Sequence, residues 1–307
     1  MKKILIATQK PFAPVAVEQM KAIATDKGYE VEVFEKYAEQ ADFVGAVADA
    51  DGIIIRSDKA TKEVIEAAKN LKVIVRAGAG YDNIDLEAAT ANNVVAMNTP
   101  GQNSNAVGEL VLGMMVYMAR NGYNGKPGTE LRAKKLGIHA YGNVGKYVAE
   151  IARGFGMAIY AFDPFVDSAK MQAEGITPCS SVEELYSTCD FVSLHIPAND
   201  KTKKSINFDL LNKMPQGGML INTARKEVID EDGILKLMDA RPDFKYISDI
   251  APDSAHVFAE KYDGRFFFTP KKMGAQTAEA NINAGIAAVN QIIDFIENGD
   301  DTFKVNK

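Results

Sequence analysis

The 307-residue chain has no tryptophan, two cysteines and three histidines. Cys179 and Cys189 are too few for a disulfide framework and lack metal-ligand spacing, so a reducing compartment and no metal site are expected. No hydrophobic run approaches the ~18 residues of a membrane span. The apolar stretch Ile4 to Ala7, behind a basic start, is too short for a secretory signal, and a cytoplasmic protein is expected. Lys and Arg (35) are outnumbered by Asp and Glu (41), for a net charge of −6. Nucleic acids and anionic membranes normally require a basic surface, so neither is expected as a partner. An anionic small substrate would have to be held by a few locally placed cations.

What is present is a series of short runs rich in Val and Ile. ILIAT (4–8), VEVF (31–34), GIIIR (52–56), VIVRAG (73–78) and VVAMN (94–98) are separated by helical stretches. Nearly continuous apolar runs suit strands covered on both faces, so they predict a parallel sheet wrapped by helices. After Thr99-Pro100, the apolar stretch 106–119 reads as a buried helix linking two bodies. The Gly- and Asn-rich NGYNGKPG (121–128) follows as a connection. A second series then runs KKLGIHA, MAIYAF (157–162), DFVSLHIP (190–197), GGMLINTA (217–224), YISDIA (246–251) and RFFFTP (265–270). Six strands alternating with helices predict a doubly wound, Rossmann-type sheet. The expectation is an α/β protein of two domains: a smaller, flavodoxin-like substrate domain over 1–98, completed by a C-terminal helix over 283–307, and a nucleotide-binding domain over 99–282.

The second series opens on a glycine loop. Ala140-Tyr141-Gly142-Asn143-Val144-Gly145 fills the frame G-x-G-x-x-G with alanine in the first position. In such loops the second glycine lets the backbone approach a pyrophosphate, and the third lets helix pack on strand. Gly142 and Gly145 keep both. The missing first glycine governs the tight turn, where a methyl group is tolerated with a small shift. Asp163 ends the next strand, roughly 20 residues on, where a carboxylate accepts the ribose hydroxyls of adenosine and repels a 2′-phosphate. NAD is therefore expected over NADP.

These and further segments resemble one family across nearly the whole chain. VRAGAGYDNIDLEAATANNVVAMNTPGQNSNAVGELVLGMM (75–115), GTELRAKKLGIHAYGNVGK (128–146), the YAFDP around Asp163, LHIPANDKTKKSIN (194–207) and LINTARKEVIDEDGI (220–234) are similar to signatures of the D-isomer-specific 2-hydroxyacid dehydrogenases. The resemblance implies NAD-dependent interconversion of a 2-hydroxy acid and a 2-keto acid in a cleft between two domains. It assigns Arg225 to the substrate carboxylate and the reacting carbonyl, a task suited to a planar fork of donors. It assigns the backbone N–H groups of Gly78, Ala79 and Gly80 to the same carboxylate, and Asp249 to the nicotinamide carboxamide. Thr223, Ala224, Gly274 and Ala275 line the nicotinamide. His195 either borders the adenine side or packs.

Three departures from the family pattern matter. In TPKKMGA (269–275), Lys272 occupies the slot where the family carries its acid-base histidine. The glutamate that supports that histidine falls at Ser254, beside Asp253. This loss is intelligible, because a lysine must have its pKa lowered, not raised, to act as a base near neutral pH. His256 is a spare acid-base candidate. The connection from Arg120 to Leu136 is shorter than in the family and lacks its tryptophan; a homodimer is still expected. Arg56, ending a strand in GIIIRSDKAT, matches the family position that contacts a substrate phosphate, and Lys59 can assist. The expected substrate is a phosphorylated three-carbon 2-hydroxy acid. Reduction of hydroxypyruvate or glyoxylate, and non-catalytic NADH sensing, are the alternatives. With Lys307 as the last residue, feedback through an appended amino-acid-binding domain is not expected.

Overall fold

A computed structural model describes residues 1–307, which form two compact units, Met1–Asn103 with Gln276–Lys307, and Ser104–Ala275. In the first, β1 (Lys3–Thr8), α1 (Pro14–Asp26), β2 (Glu30–Glu35), α2 (Gln40–Ala46), β3 (Gly52–Ile55), α3 (Lys62–Ala67), β4 (Val73–Arg76), α4 (Leu86–Ala91) and β5 (Val95–Asn98) alternate. The second holds α5 (Ser104–Ala119), β6 (Lys135–His139), α6 (Asn143–Gly154), β7 (Ala158–Phe162), α7 (Ser168–Ala173), β8 (Thr177–Pro178), α8 (Val182–Thr188), β9 (Phe191–Leu194), α9 (Phe208–Leu211), β10 (Met219–Asn222), α10 (Glu231–Ala240), β11 (Lys245–Ser248), α11 (Ala255–Lys261) and β12 (Phe266–Phe268). The last helix, α12 (Ala278–Asn298), returns to the first unit.

The first unit is a five-stranded parallel sheet in the order β2-β1-β3-β4-β5. Alternate residues of each strand enter opposite layers, which is why the strands read as unbroken apolar runs. Leu5, Ile53, Ile55 and Ile74 pack with Phe43 and Val64 on one face. Ile4, Ile6, Ile54 and Val75 pack with Met20, Val289 and Ile292 on the other. Gly52 lets α12 settle there: a Cβ on it would stand 2.6 Å from Ile292 Cγ2. The expected boundaries at 98/99 and 282/283 shift to 103/104 and 275/276. The reason is local, since Thr277 caps α12 by accepting the Ala280 N–H and so belongs with the helix it starts.

The second unit is a seven-stranded parallel sheet ordered β12-β11-β10-β9-β6-β7-β8, the doubly wound arrangement in which strand order reverses between β6 and β9. Six strands were expected; the seventh, β8, is two residues long and ends in proline, too short and too atypical to read from sequence. The apolar helix α5 packs in this unit with Leu136, Ile138 and Ile221. No helix is long and apolar enough to cross a membrane.

Candidate active site

Ligands of doubly wound sheets bind outside the carboxyl ends of the strands, and the predicted residues of the second unit lie there. After β6 the chain turns through Ala140, whose φ is +80°, a left-handed conformation that favours glycine. The alanine substitution is therefore accommodated by strain in the turn. Gly145 is closely surrounded: a Cβ would meet Ala140 O at 2.5 Å and Ile138 Cγ2 at 2.9 Å. Gly142 is the opposite, with no protein atom within 4 Å of an added Cβ. It is also the N-cap of α6, and no side chain caps that helix. A helix start with open space at its cap and uncapped N–H groups at Asn143 and Val144 is a cradle for a phosphate group.

Tyr141 departs from its expected role. Its side chain is 2% exposed and its hydroxyl donates to Glu174 Oε2 (2.9 Å), while its backbone N–H donates to Asp163 Oδ2 (2.8 Å). Burial, with the carboxylate of Glu174 next in importance, pushes the phenol up to about 12. Tyr141 thus supports the loop from beneath, and Asp163 has a second function, since its other oxygen accepts the Phe165 N–H (2.9 Å). His195 is partly buried, with Nε2 3.0 Å from Ser193 Oγ; burial first and His139 second lower it to about 3, so the ring is neutral.

Around β10, β11 and β12 a tighter cluster forms. Asn222, fully buried at the end of β10, accepts the Ala224 N–H (3.0 Å) on its side chain and donates to Arg225 O (3.0 Å), an Asx turn that swings Arg225 out into solvent. The carbonyl of Ala224 accepts from Arg225 Nη1 (3.1 Å) and from Lys272 Nζ (2.6 Å). Asp249, directly after β11, is fully buried. Its Oδ2 accepts the Gly274 N–H (2.9 Å), and its Oδ1 lies 3.8 Å from Lys272 Nζ. The Lys272 side chain is 42% exposed, yet desolvation by the surrounding protein lowers the pKa of its ammonium; Asp249 opposes that shift and Arg225 reinforces it. Burial raises the carboxyl of Asp249, and Lys272 draws it back. Lys271 is exposed, and its carbonyl accepts from Thr269 Oγ1 (2.7 Å) within the turn.

Two buried atoms in this cluster lack hydrogen-bond partners, Thr223 Oγ1 and Asp249 Oδ1. A hydroxyl and one carboxylate oxygen without hydrogen bonds in a native interior call for a ligand with both an acceptor and a donor. The carboxamide of a nicotinamide has both, and with the open cradle at Gly142 the residues fit NAD. Gly274 and Ala275 close the loop beside Asp249. His256 lies exposed on α11, away from these bonds. Asn222 was not singled out from sequence; the signal was an Asx residue at a strand end before the turn carrying Arg225.

In the first unit, Arg56 follows β3. Its guanidinium donates to Lys10 O (3.2 Å), Pro11 O (2.9 Å) and Asn281 Oδ1 (2.6 Å), and stacks over Phe12 at 5.0 Å. Asp58, 5% exposed, pins the surrounding loops by accepting from Gln9 N (2.7 Å), the Tyr37 hydroxyl (2.6 Å) and Arg56 N (3.2 Å). Gly78 also needs correction as an anion donor, because its N–H is taken by Thr99 Oγ1 (2.7 Å). The N–H groups of Ala79 and Gly80 make no bond within the protein. Gly78 has φ +147° and carries the Arg76 guanidinium where a Cβ would be.

The order of the second sheet, its glycine loop and the cluster at its carboxyl edge define an NAD-binding dehydrogenase unit. The chain belongs to the D-isomer-specific 2-hydroxyacid dehydrogenase family: residues 112–257 match the family model for D-isomer specific 2-hydroxyacid dehydrogenase, NAD binding domain. It is 49% identical to the NAD⁺-bound 3-phosphoglycerate dehydrogenase of Entamoeba histolytica, with a TM-score of 0.86 over 100% of this chain and 99% of that one. It is 33% identical to the hydroxypyruvate reductase of Thermotoga maritima over 86% of this chain and 90% of that protein. It is 32% identical to the D-3-phosphoglycerate dehydrogenase of Synechocystis over 84% of this chain, but spans only 49% of that longer protein.

Proposed function

We propose that the protein is an NAD-dependent D-3-phosphoglycerate dehydrogenase, producing 3-phosphohydroxypyruvate at the entry to serine synthesis, with Lys272 as its acid-base group. One observation carries the catalytic part: Lys272 and Arg225 are drawn together on the Ala224 carbonyl, so a proton-transfer group stands beside a carboxylate-binding fork. In oxidation the neutral Lys272 amine takes the hydroxyl proton of the substrate, and in reduction the ammonium returns it. Arg225 holds the carboxylate and polarises the carbon-oxygen bond under attack. NAD, when bound, supplies the hydride acceptor. Desolvation lowers the pKa of Lys272 and Arg225 reinforces the shift, the direction a base requires, while Asp249 opposes it.

The phosphate is assigned to Arg56, and the 49% identity to the Entamoeba histolytica enzyme supports that choice of substrate. A guanidinium has more N–H donors than the three used here. Those three internal bonds also favour a second reading, reduction of the unphosphorylated hydroxypyruvate, for which the Thermotoga maritima relative is the precedent. Following NADH absorbance with 3-phosphohydroxypyruvate, hydroxypyruvate and glyoxylate separates the two. Preference for the phosphorylated acid, lost in Arg56→Ala without change for glyoxylate, supports the first reading; equal use of all three supports the second. Absence of turnover on all three with NADH binding intact would leave a nucleotide sensor. A homodimer accompanies the proposal, and sedimentation tests it.

A further inference from the structure

We infer that Glu174 is a positioning residue for the glycine loop, holding Tyr141 and Lys146 on either side of Gly142 and so compensating for the alanine in the first glycine position. Glu174 lies outside the loop, directly after α7. Its Oε2 accepts from the Tyr141 hydroxyl (2.9 Å) and its Oε1 from Lys146 Nζ (3.1 Å). The Lys146 ammonium also stands over the Tyr141 ring, 5.6 Å from its centre. Behind the carboxylate, the Glu174 carbonyl accepts from Arg153 Nη2 (2.5 Å), which fastens the acid to the far end of α6. One side chain thus joins the residue before Gly142 to the first turn of the helix after it.

The need for such a clamp lies in Ala140. Its φ of +80° is a conformation that glycine adopts freely and an L side chain resists. A residue stays in such a conformation only where its surroundings overdetermine it. The Ala140 N–H donates to Phe162 O (2.9 Å) and the Tyr141 N–H to Asp163 Oδ2 (2.8 Å), so both backbone restraints run to the end of β7. Neither of them fixes the Tyr141 side chain. Glu174 does so from a different element, α7, and the phenol is held at its buried ring and at its tip. The bonds from Tyr141 and then Lys146 keep the Glu174 carboxyl below its ordinary range, so both of its oxygens are acceptors. Relaxation of Ala140 toward negative φ would swing Tyr141 and Gly142, and with them the N–H groups of Asn143 and Val144, away from a bound phosphate. A glycine at 140 would need no such restraint.

The test is a double-mutant cycle on NADH affinity, read by fluorescence titration without substrate, so that neither Lys272 nor the choice of substrate enters. Glu174→Ala should weaken NADH binding by about fivefold, the worth of one hydrogen bond. Glu174→Gln, which keeps one acceptor oxygen, should weaken it less. In an Ala140→Gly background, where the turn no longer has to be held, Glu174→Ala should change affinity by less than about twofold. An equal loss in both backgrounds would overturn the inference, because Glu174 would then act independently of the strained turn. Unchanged affinity in Glu174→Ala with a lowered melting temperature would reject it as well, leaving a structural brace. Tyr141→Phe removes the hydroxyl and keeps the buried ring, and it covers failure of Glu174→Ala to fold. Its loss of affinity should likewise shrink in the Ala140→Gly background, and an undiminished loss counts against the clamp.

Discussion

Lys272 and Arg225 donate to one acceptor, the carbonyl of Ala224, at 2.6 and 3.1 Å. The charge of Arg225 adds to the desolvation that lowers the Lys272 pKa, and of the two groups lysine is the one whose proton can move. Lys272→Ala is therefore expected to lower turnover in both directions by about 10²–10⁴-fold, the usual range for loss of a general acid-base group. NADH affinity, read by fluorescence titration, should stay near wild type. Turnover within a few-fold of wild type would assign proton transfer elsewhere, with exposed His256 the next group to replace.

Asn222 makes the second prediction. Its side chain bonds both sides of the turn that presents Arg225, and it is fully buried. Asn222→Ala leaves the Ala224 N–H and the Arg225 carbonyl without these partners, costing about 1–3 kcal/mol of stability. Arg225 would lose its fixed direction, so KM for the keto acid should rise more than KM for NADH. Chemical denaturation and steady-state kinetics measure the two effects separately. Equal changes in the two KM values would mean that Asn222 supports the fold without aiming Arg225.

Much of this architecture was legible in the residues. Runs such as Ile4 to Ala7 and Gly52 to Ile55 are apolar on every position because both faces of the sheet are covered, and that pattern needs no tertiary knowledge. Ile282, Ile286, Val289, Ile292, Ile293 and Ile296 recur at helical spacing in the last helix, which runs over 278–298 where 283–307 was expected, because Gly299 ends it in a left-handed cap. What stayed hidden were bonds between groups distant in sequence. Gly78 was assigned an open N–H that Thr99 occupies, and Tyr141, placed in the cofactor loop, turns its N–H to Asp163 and buries its ring. Asp249 facing Lys272 follows only from the pairing of β11 with β12, which sets their ends side by side. A motif names the residue types a site contains, whereas the partner of each donor depends on strand register.

The glycine loop separates fold from binding. Gly142→Ala adds a methyl into open space, so thermal stability should change little while KM for NAD rises by tenfold or more if the cradle holds the pyrophosphate, about 1.4 kcal/mol. Gly145→Ala instead drives a methyl against Ala140 O and Ile138 and should destabilise by about 1–3 kcal/mol. Ala140→Gly relieves the left-handed alanine and should stabilise by about 1 kcal/mol. Calorimetry of the three variants, with NAD titrations, checks the set. A Gly142→Ala protein with wild-type NAD affinity would remove the cradle from the binding site.

Acid stability gives the last prediction. His139 is 8% exposed, its Nδ1 lies 3.2 Å from the Tyr186 hydroxyl, and burial lowers it from the ordinary 6.5 to about 4. Below about pH 6.5 the unfolded chain takes up a proton on this ring that the folded protein accepts only near pH 4. Within that window the unfolded state binds more protons, so stability is complete above it and falls as the pH drops through it. His195, lowered to about 3, acts in the same sense and extends the loss further into acid. Urea midpoints at pH 7 and pH 5 should therefore differ, with the folded state weaker at pH 5. Replacing His139 by glutamine, which cannot take up that proton, should reduce the difference. An undiminished difference in His139→Gln would place the acid sensitivity on His195, since Asp243, held at about 2 by its pairing with Arg241, weakens the fold only below about pH 4.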